Sequence, residues 1–390
     1  MSAVSAPTGP APADEARGQF FGSTREYWRI LSRDAPALIA TLGLYRFWVS
    51  TDVRRYLWSH TNLAGEQLDY TGDPLELLVG FLVLLVVLAP LAAIVSVLGI
   101  ITGNLDEVAY LPLVMLLPLG ILVLYQARRY RVNNTVFRGL RFHQTGSAWV
   151  YALLTLLWLA VIVVTLGLGY PWARAGLERY KMRHTFYGDV QGSFEGSGWV
   201  LFKRGATLWA VVGAGALLLG LLHAGATPDA LVSAMIVASI LGALAYPVFR
   251  AIGLRWRIAG MRFGTLSLTS ELSTWSLYKA YLKLFGWLVL LAIIIVLVAL
   301  AQLATVSALP LGKSVVIELI WVMCLLIAYF ALATAAAFAY QGTVRFDTWR
   351  LIVDALVLRG LDQLDRAKTP ARQAARQAGR IGAALNLGGY

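Results

Sequence analysis

Hydrophobic positions along this chain gather into long uninterrupted runs rather than into alternating or helical stripes. Six runs are long enough to cross a bilayer as helices, approximately residues 75–101, 108–126, 206–224, 229–249, 284–304 and 315–338. They pair into three hairpins through GNLDEV (103–108), HAGATPDA (223–230) and VSALPLGKS (306–314), which hold one Lys or Arg between them, Lys313. The segments between hairpins are basic, with Arg128, Arg129, Arg131, Arg138 and Arg141 in the first and Arg250, Arg255, Arg257 and Arg262 in the last. The positive-inside rule predicts that these segments face the cytoplasm and the poor linkers the other side.

Two further apolar runs disturb that scheme: residues 149–172, and residues 35–49, which carry Arg46. Both have basic residues on each flank, and both contain TLGL, at 41–44 and 165–168. Length favours a full crossing for 149–172, but a crossing would put its two basic flanks on opposite sides. A re-entrant or shallow insertion that turns at the glycine keeps both flanks together, provided other protein covers the turn. The balance favours re-entry, with spanning left open.

The polar stretches share a skeleton. Tyr56, Tyr130, Tyr180 and Trp256 each follow an arginine, namely Arg55, Arg129, Arg179 and Arg255. Five residues on stand Thr61, Thr135, Thr185 and Met261, and a glycine comes at eight or nine: Gly65, Gly139, Gly188 and Gly264. Gly72, Gly146 and Gly196 come at sixteen, and Leu75, Trp149, Trp199 and Trp275 at nineteen. Matches at several offsets in four copies indicate an internal repeat. Within each copy a short helix leads into alternating residues around a glycine, as in TVFRGLRF, which predicts a short β-hairpin. Isolated hairpins are marginal, so pairing of several into a small sheet is expected to stabilise them. The tyrosines and tryptophans are expected at the membrane interface, and the glycines at turns.

Composition fits this pattern. Of 390 residues, 58% are hydrophobic and 14% charged, against about 25% charged in soluble domains. The fold class expected is therefore an all-α polytopic membrane protein with six clear transmembrane helices, two ambiguous segments and short cytoplasmic β-hairpin units. A net charge of +12 suits loops facing anionic phospholipid headgroups, and no nucleic-acid reading motif accompanies it. Cys324 is the only cysteine, so no intrachain disulfide forms and no Cys-based metal site exists. The chain divides into a disordered tail (1–19), two membrane halves (20–147 and 148–283), a C-terminal hairpin (284–350) and a basic tail (351–390).

The stretches TLGLYRFW, TLGLGYPWARAGLERY, RYLWSHTNLAGEQLDYTGDPLELLVG and RVNNTVFRGLRFHQTGS resemble the YjgN-like family of bacterial inner-membrane proteins, over roughly residues 20–360. The family's Pro-Trp after the break stands as Pro171-Trp172, and Phe47-Trp48 replaces it in the first half. The resemblance implies a bacterial inner membrane and brings no catalytic residues with it.

Candidate chemistry is sparse. His60, His143 and His184 lie in basic segments without the spacing of a metal site. Leu311–Ser314 lacks the upstream glycine of a phosphate loop. Ionisable residues in the spans are few, with Glu76 and Glu318 near span ends, and their scarcity argues against a proton relay. Arg55, Arg129, Arg179 and Arg255, one per repeat, are the candidate contacts for an anion or lipid headgroup. The sequence points to a non-enzymatic scaffold or accessory protein, without cofactor, that contacts anionic lipid or a partner at the cytoplasmic face. The alternative is a transporter or channel for a small anionic solute.

Overall fold

The computed structural model describes residues 15–103, 111–222, 228–308 and 315–362. Most of GNLDEV, VSALPLGKS and HAGATPDA, and the outer parts of both tails, fall outside the described residues. Residues 15–20 and 351–359, assigned to the tails by sequence, instead form strand and helix–strand segments.

Helices alternate with strand pairs along the chain. Strands β1 (Glu15–Arg17) and β2 (Gln19–Phe20) precede helices α1 (Thr24–Ala40) and α2 (Arg46–Ser59). Then come β3 (Thr61–Leu63), β4 (Glu66–Tyr70), α3 (Pro74–Thr102), α4 (Leu111–Asn133), β5 (Thr135–Phe137) and β6 (Leu140–Gln144). The second half runs α5 (Ala148–Val164), α6 (Tyr170–Arg183), β7 (Thr185–Tyr187), β8 (Val190–Phe194), α7 (Gly198–Leu222), α8 (Pro228–Gly260), β9 (Met261–Phe263) and β10 (Leu266–Ser270). It closes with α9 (Thr274–Ala308), α10 (Val315–Tyr340), a π-helical turn (Gln341–Arg345), α11 (Phe346–Asp354) and β11 (Leu356–Arg359).

All eleven described strands join one antiparallel sheet in the order β1-β11-β10-β9-β8-β7-β6-β5-β4-β3-β2. This overturns the expectation of an all-α protein, and the hairpins join a far larger sheet than the small one expected. The physical reason is strand length. Strands of two to five residues cannot hold a hairpin alone, and every free edge invites pairing. The two ends of the order, β1 and β2, are consecutive halves of one extended stretch. One half pairs with β11 (Ala16 opposite Leu358) and the other with β3 (Phe20 opposite Thr61). The sheet is therefore a nearly closed barrel. At the join, the Gly18 amide donates to the Leu356 carbonyl at 2.9 Å. A Cβ at Gly18 would sit 2.4 Å from the Val353 carbonyl oxygen, so only glycine passes this point.

Four two-residue turns link β3–β4, β5–β6, β7–β8 and β9–β10, as the registers Leu63–Glu66, Phe137–Leu140, Tyr187–Val190 and Phe263–Leu266 require. Ala64-Gly65 and Arg138-Gly139 both take positive φ, the type I′ pattern that suits strand twist. Since strands alternate in direction, every helical pair must leave from the opposite rim. Inside the barrel Leu68, Phe137, Tyr187, Leu266 and Leu358 form one buried cluster. Such side chains fill a small barrel rather than leaving a lumen.

Among the described residues four helices are long and apolar enough to cross a membrane: Pro74–Thr102, Ile236–Gly260, Thr274–Gln302 and Leu319–Asp354. Six were expected; the runs 108–126 and 206–224 fall partly outside the described residues and are not among the four. The segments containing TLGL turn back. At both, Leu42 and Leu166 adopt φ near +50° and Gly43 and Gly167 φ near +90°. The threonine hydroxyl ends each helix by donating to the carbonyl four residues back, Ala37 or Val161, at 2.7 Å. Helix α5 extends only about 25 Å before that turn, short of the roughly 30 Å hydrocarbon core. Its flanking strands, β6 and β7, are neighbours in the sheet.

Candidate functional site

The level at which helices meet the barrel gathers most of the ordered polar chemistry. The four anchor aromatics close the helical pairs at their base. Tyr56 Oη accepts from Ser23 N at 2.7 Å and donates to Glu26 Oε2 at 3.0 Å. Tyr130 Oη accepts from Asp73 N at 2.8 Å, and Tyr180 Oη donates to Ser147 O at 2.8 Å. Trp256 Nε1 donates to Ser197 O at 3.0 Å. Each bond ties the end of a pair's second helix to the start of its first. Tyr56 and Trp256 are buried by this role rather than facing a headgroup layer. Burial raises the phenol pKa of Tyr56, and that of Tyr130 strongly. Trp149, Trp199 and Trp275, on the first turns of α5, α7 and α9, are exposed.

The four equivalent arginines do not converge. Arg55 Nη2 donates to Gly72 O at 3.0 Å, Arg179 Nη2 to Gly196 O at 3.4 Å and Arg255 Nη2 to Thr274 Oγ1 at 2.9 Å. These bonds tie each helix end to the start of the next pair. Arg55 and Arg179 are exposed, and Arg129 is half-buried. Gly65, Gly139, Gly188 and Gly264 occupy the turns with positive φ, and Gly146 does so before α5. Gly72 and Gly196 instead yield to close rings: a Cβ there would lie 2.5 Å from Tyr70 Oη and 2.4 Å from Phe194 Cζ. His60 and His184 place Nδ1 2.8 Å from the carbonyls of Tyr56 and Tyr180, capping their helices, while His143 stacks on Phe186.

A different set of cations lies on the adjoining helix face, half-buried except for the exposed Arg131. The positions two before and one after each anchor lie three apart and share a helix face. They hold Arg54 and Leu57, Arg128 and Arg131, Glu178 and Lys181, Leu254 and Arg257. Arg345, in the π-helical turn, joins them from the last helical segment. Sequence reasoning missed this set because its identities vary, although the three-residue spacing marked the face.

One part of this layer is balanced by an acid. Glu178 is buried, with Lys181 Nζ at 2.7 Å and Arg257 Nε at 3.3 Å from its Oε1. Desolvation pulls the Glu178 carboxyl up, but Lys181 and Arg257 outweigh it and hold the group below its ordinary value. Burial pushes the Lys181 ammonium down to about 8 against the pull of Glu178. A cavity of about 340 Å³ lies beside this cluster, lined by Tyr170, Arg174, Arg250 and Arg257 among others.

Around Arg54 and Arg345 no ion pair with a carboxylate is formed among the described residues, while Arg128 lies between the two parts, within the field of Glu178. Arg54 Nη1 donates to Tyr70 Oη at 3.1 Å, and its Nε is buried without a partner. Arg345 Nη1 donates to Gln341 Oε1 at 3.1 Å, and Arg128 Nη1 to Gln144 Oε1 at 3.3 Å. The charges of Arg54, Arg345 and Arg128 all reach Arg131. A groove of about 700 Å³ opens beside Arg54, between the α1–α2 pair, α3 and α10.

The four described helices long and apolar enough to cross a bilayer, joined to a nearly closed antiparallel barrel, mark a membrane protein. Residues 15–239 match the model of a family described as bacterial protein of unknown function (DUF898), and the chain belongs to that family. It is the YjgN-like family that the sequence motifs resemble. Neither the comparison with curated proteins nor that with solved structures finds a match.

Proposed function

We propose that the protein is a non-enzymatic scaffold or accessory protein of the bacterial inner membrane, built from a repeated helix–hairpin unit, which engages anionic lipid or a partner at its cytoplasmic face. The observation that carries this reading is the shared rim. Five helical pairs leave the barrel from one end, so the basic segments of all five lie at a single level. Cations at that level outnumber acids, the arrangement that favours anionic headgroups. The alternative, a transporter for a small anion, draws less support, because Leu68, Phe137, Tyr187, Leu266 and Leu358 occupy the barrel interior.

Two measurements test the reading. Reporters fused after residues 147 and 200 should both report the cytoplasm; opposite sides would refute the shared-rim topology. Full-length protein in nanodiscs should unfold at a higher temperature when phosphatidylglycerol joins phosphatidylcholine, and high salt should shrink that gain. Anion flux through proteoliposomes would overturn the scaffold reading in favour of transport.

A further inference from the structure

We propose that the groove between the α1–α2 pair, α3 and α10 holds one acyl chain of an anionic phospholipid, whose phosphate is received by Arg54 with Arg131 and Arg345 behind it. This rests on the lipid-engaging reading above and gives it a site. The walls are apolar: Leu42, Phe47, Leu77, Phe81, Phe330 and Phe338 line it, and no carboxylate does. Its volume of about 700 Å³ falls within the roughly 300–1,000 Å³ of small-molecule sites.

The two ends differ. Arg46, near the hairpin tip, already lies over the Phe47 and Phe81 rings at 5.0 and 4.7 Å. Arg54, eight residues and about 12 Å further along α2, has one hydrogen bond to Tyr70 and a buried Nε without a partner. Arg345 donates to Gln341, which lines the groove, at 3.1 Å, and the charges of Arg54 and Arg345 both reach Arg131. A phosphate monoanion or diester there would meet a guanidinium fork suited to paired oxygens. Leu42, which lines the groove at the hairpin turn, is 73% exposed, so the groove is open at that end and a lipid chain can enter it there.

The test uses full-length protein in mixed micelles of phosphatidylglycerol and phosphatidylcholine, with retained lipid counted by native mass spectrometry. Wild type should keep one phosphatidylglycerol in preference to phosphatidylcholine. Arg54→Gln should weaken that retention by at least about tenfold, the loss expected for a charged hydrogen bond, and Arg54→Lys should restore part of it. Ala337→Trp, on the exposed α10 wall of the groove, should block the chain and lower retention equally. Ala333→Phe is a smaller obstruction on the same wall, and serves if the first variant does not fold. Inorganic phosphate separates the two sources of the same chemistry. If it displaces the bound species completely and Ala337→Trp does not matter, the site takes a free anion and the lipid proposal falls. If phosphatidylglycerol preference survives in both Arg54→Gln and the wall variants, this site is refuted while lipid engagement elsewhere stands. If wild type shows no preference, both fail.

Discussion

Two clusters occupy equivalent places beneath the barrel and solve the problem of crowded cations differently. Around α6 and α8, Glu178 sits between Lys181 and Arg257, and the chain neutralises itself. Around α2, α4 and the π-helical turn, Arg54, Arg131 and Arg345 lie together with polar partners but no described carboxylate among their close contacts. The position two before the anchor decides the outcome: it is glutamate in one unit and arginine in two others. The first cluster is closed, and the second is left for a ligand to complete.

The largest effect should come from opening the closed cluster. Glu178→Gln leaves buried cations without their acid, and breaking a buried pair in this way costs about 3–5 kcal/mol. Unfolding in mixed micelles measures it. An unchanged midpoint would show that Glu178 carries no such burden.

The same cluster sets a pH signature. Because the folded value of Glu178 is depressed, its contribution is complete above the ordinary value of 4.5 and disappears as pH falls through the lower folded value. Lys181 works in the opposite sense. It is lowered from 10.5 to about 8, so burial of its charge costs stability below about 8, and that cost fades as pH rises from there toward 10.5. Stability should therefore drop on the acid limb and climb on the alkaline one, and Glu178→Gln should erase the acid drop. A variant that keeps the full acid drop would assign it to other carboxylates.

Both clusters hang from the same clasps, so removing a clasp should affect them alike. Tyr130→Phe takes the acceptor from Asp73 N at the base of the α3–α4 pair. A loss of about 1 kcal/mol follows from the deleted bond, since water can reach the exposed donor. Hydrogen exchange should show early opening confined to that pair; exchange unchanged at Asp73 would remove the clasp role.

The sequence exposed the clasps more readily than the charged layer for a physical reason. An arginine followed by an aromatic recurs in four places because it bonds to backbone near neighbouring helix starts, and backbone is the same everywhere. The adjoining face meets a different environment in each unit, so Arg54, Arg128, Glu178 and Leu254 share a position without sharing an identity. The hairpins were legible from local alternation and glycine. Their joining was not, since the pair Tyr70 and Thr135 lies 65 residues apart and carries no local signal. The closing strand was read as tail because six residues around Gly18 gain their order only from β11 and β3.

Converting the open cluster into a copy of the closed one gives a smaller effect of opposite sign. Arg54→Glu puts an acid at the place equivalent to Glu178, within the field of Arg131 and Arg345. A gain of about 1 kcal/mol is expected, the upper range for partly solvated pairs, together with loss of phosphatidylglycerol retention. A destabilised variant would mean that the two places are not equivalent in geometry.

The smallest effect isolates helical phase from charge. Arg55 adjoins Arg54 and carries the same group, but about 100° around the helix it is exposed and reaches the Gly72 carbonyl at 3.0 Å. Water replaces that donor at an accessible carbonyl, so Arg55→Gln should cost within about 0.5 kcal/mol. Retained phosphatidylglycerol should match wild type in the same preparation in which Arg54→Gln loses it. Equal losses from the two substitutions would mean that net charge, rather than the Arg54 face of α2, governs the interaction.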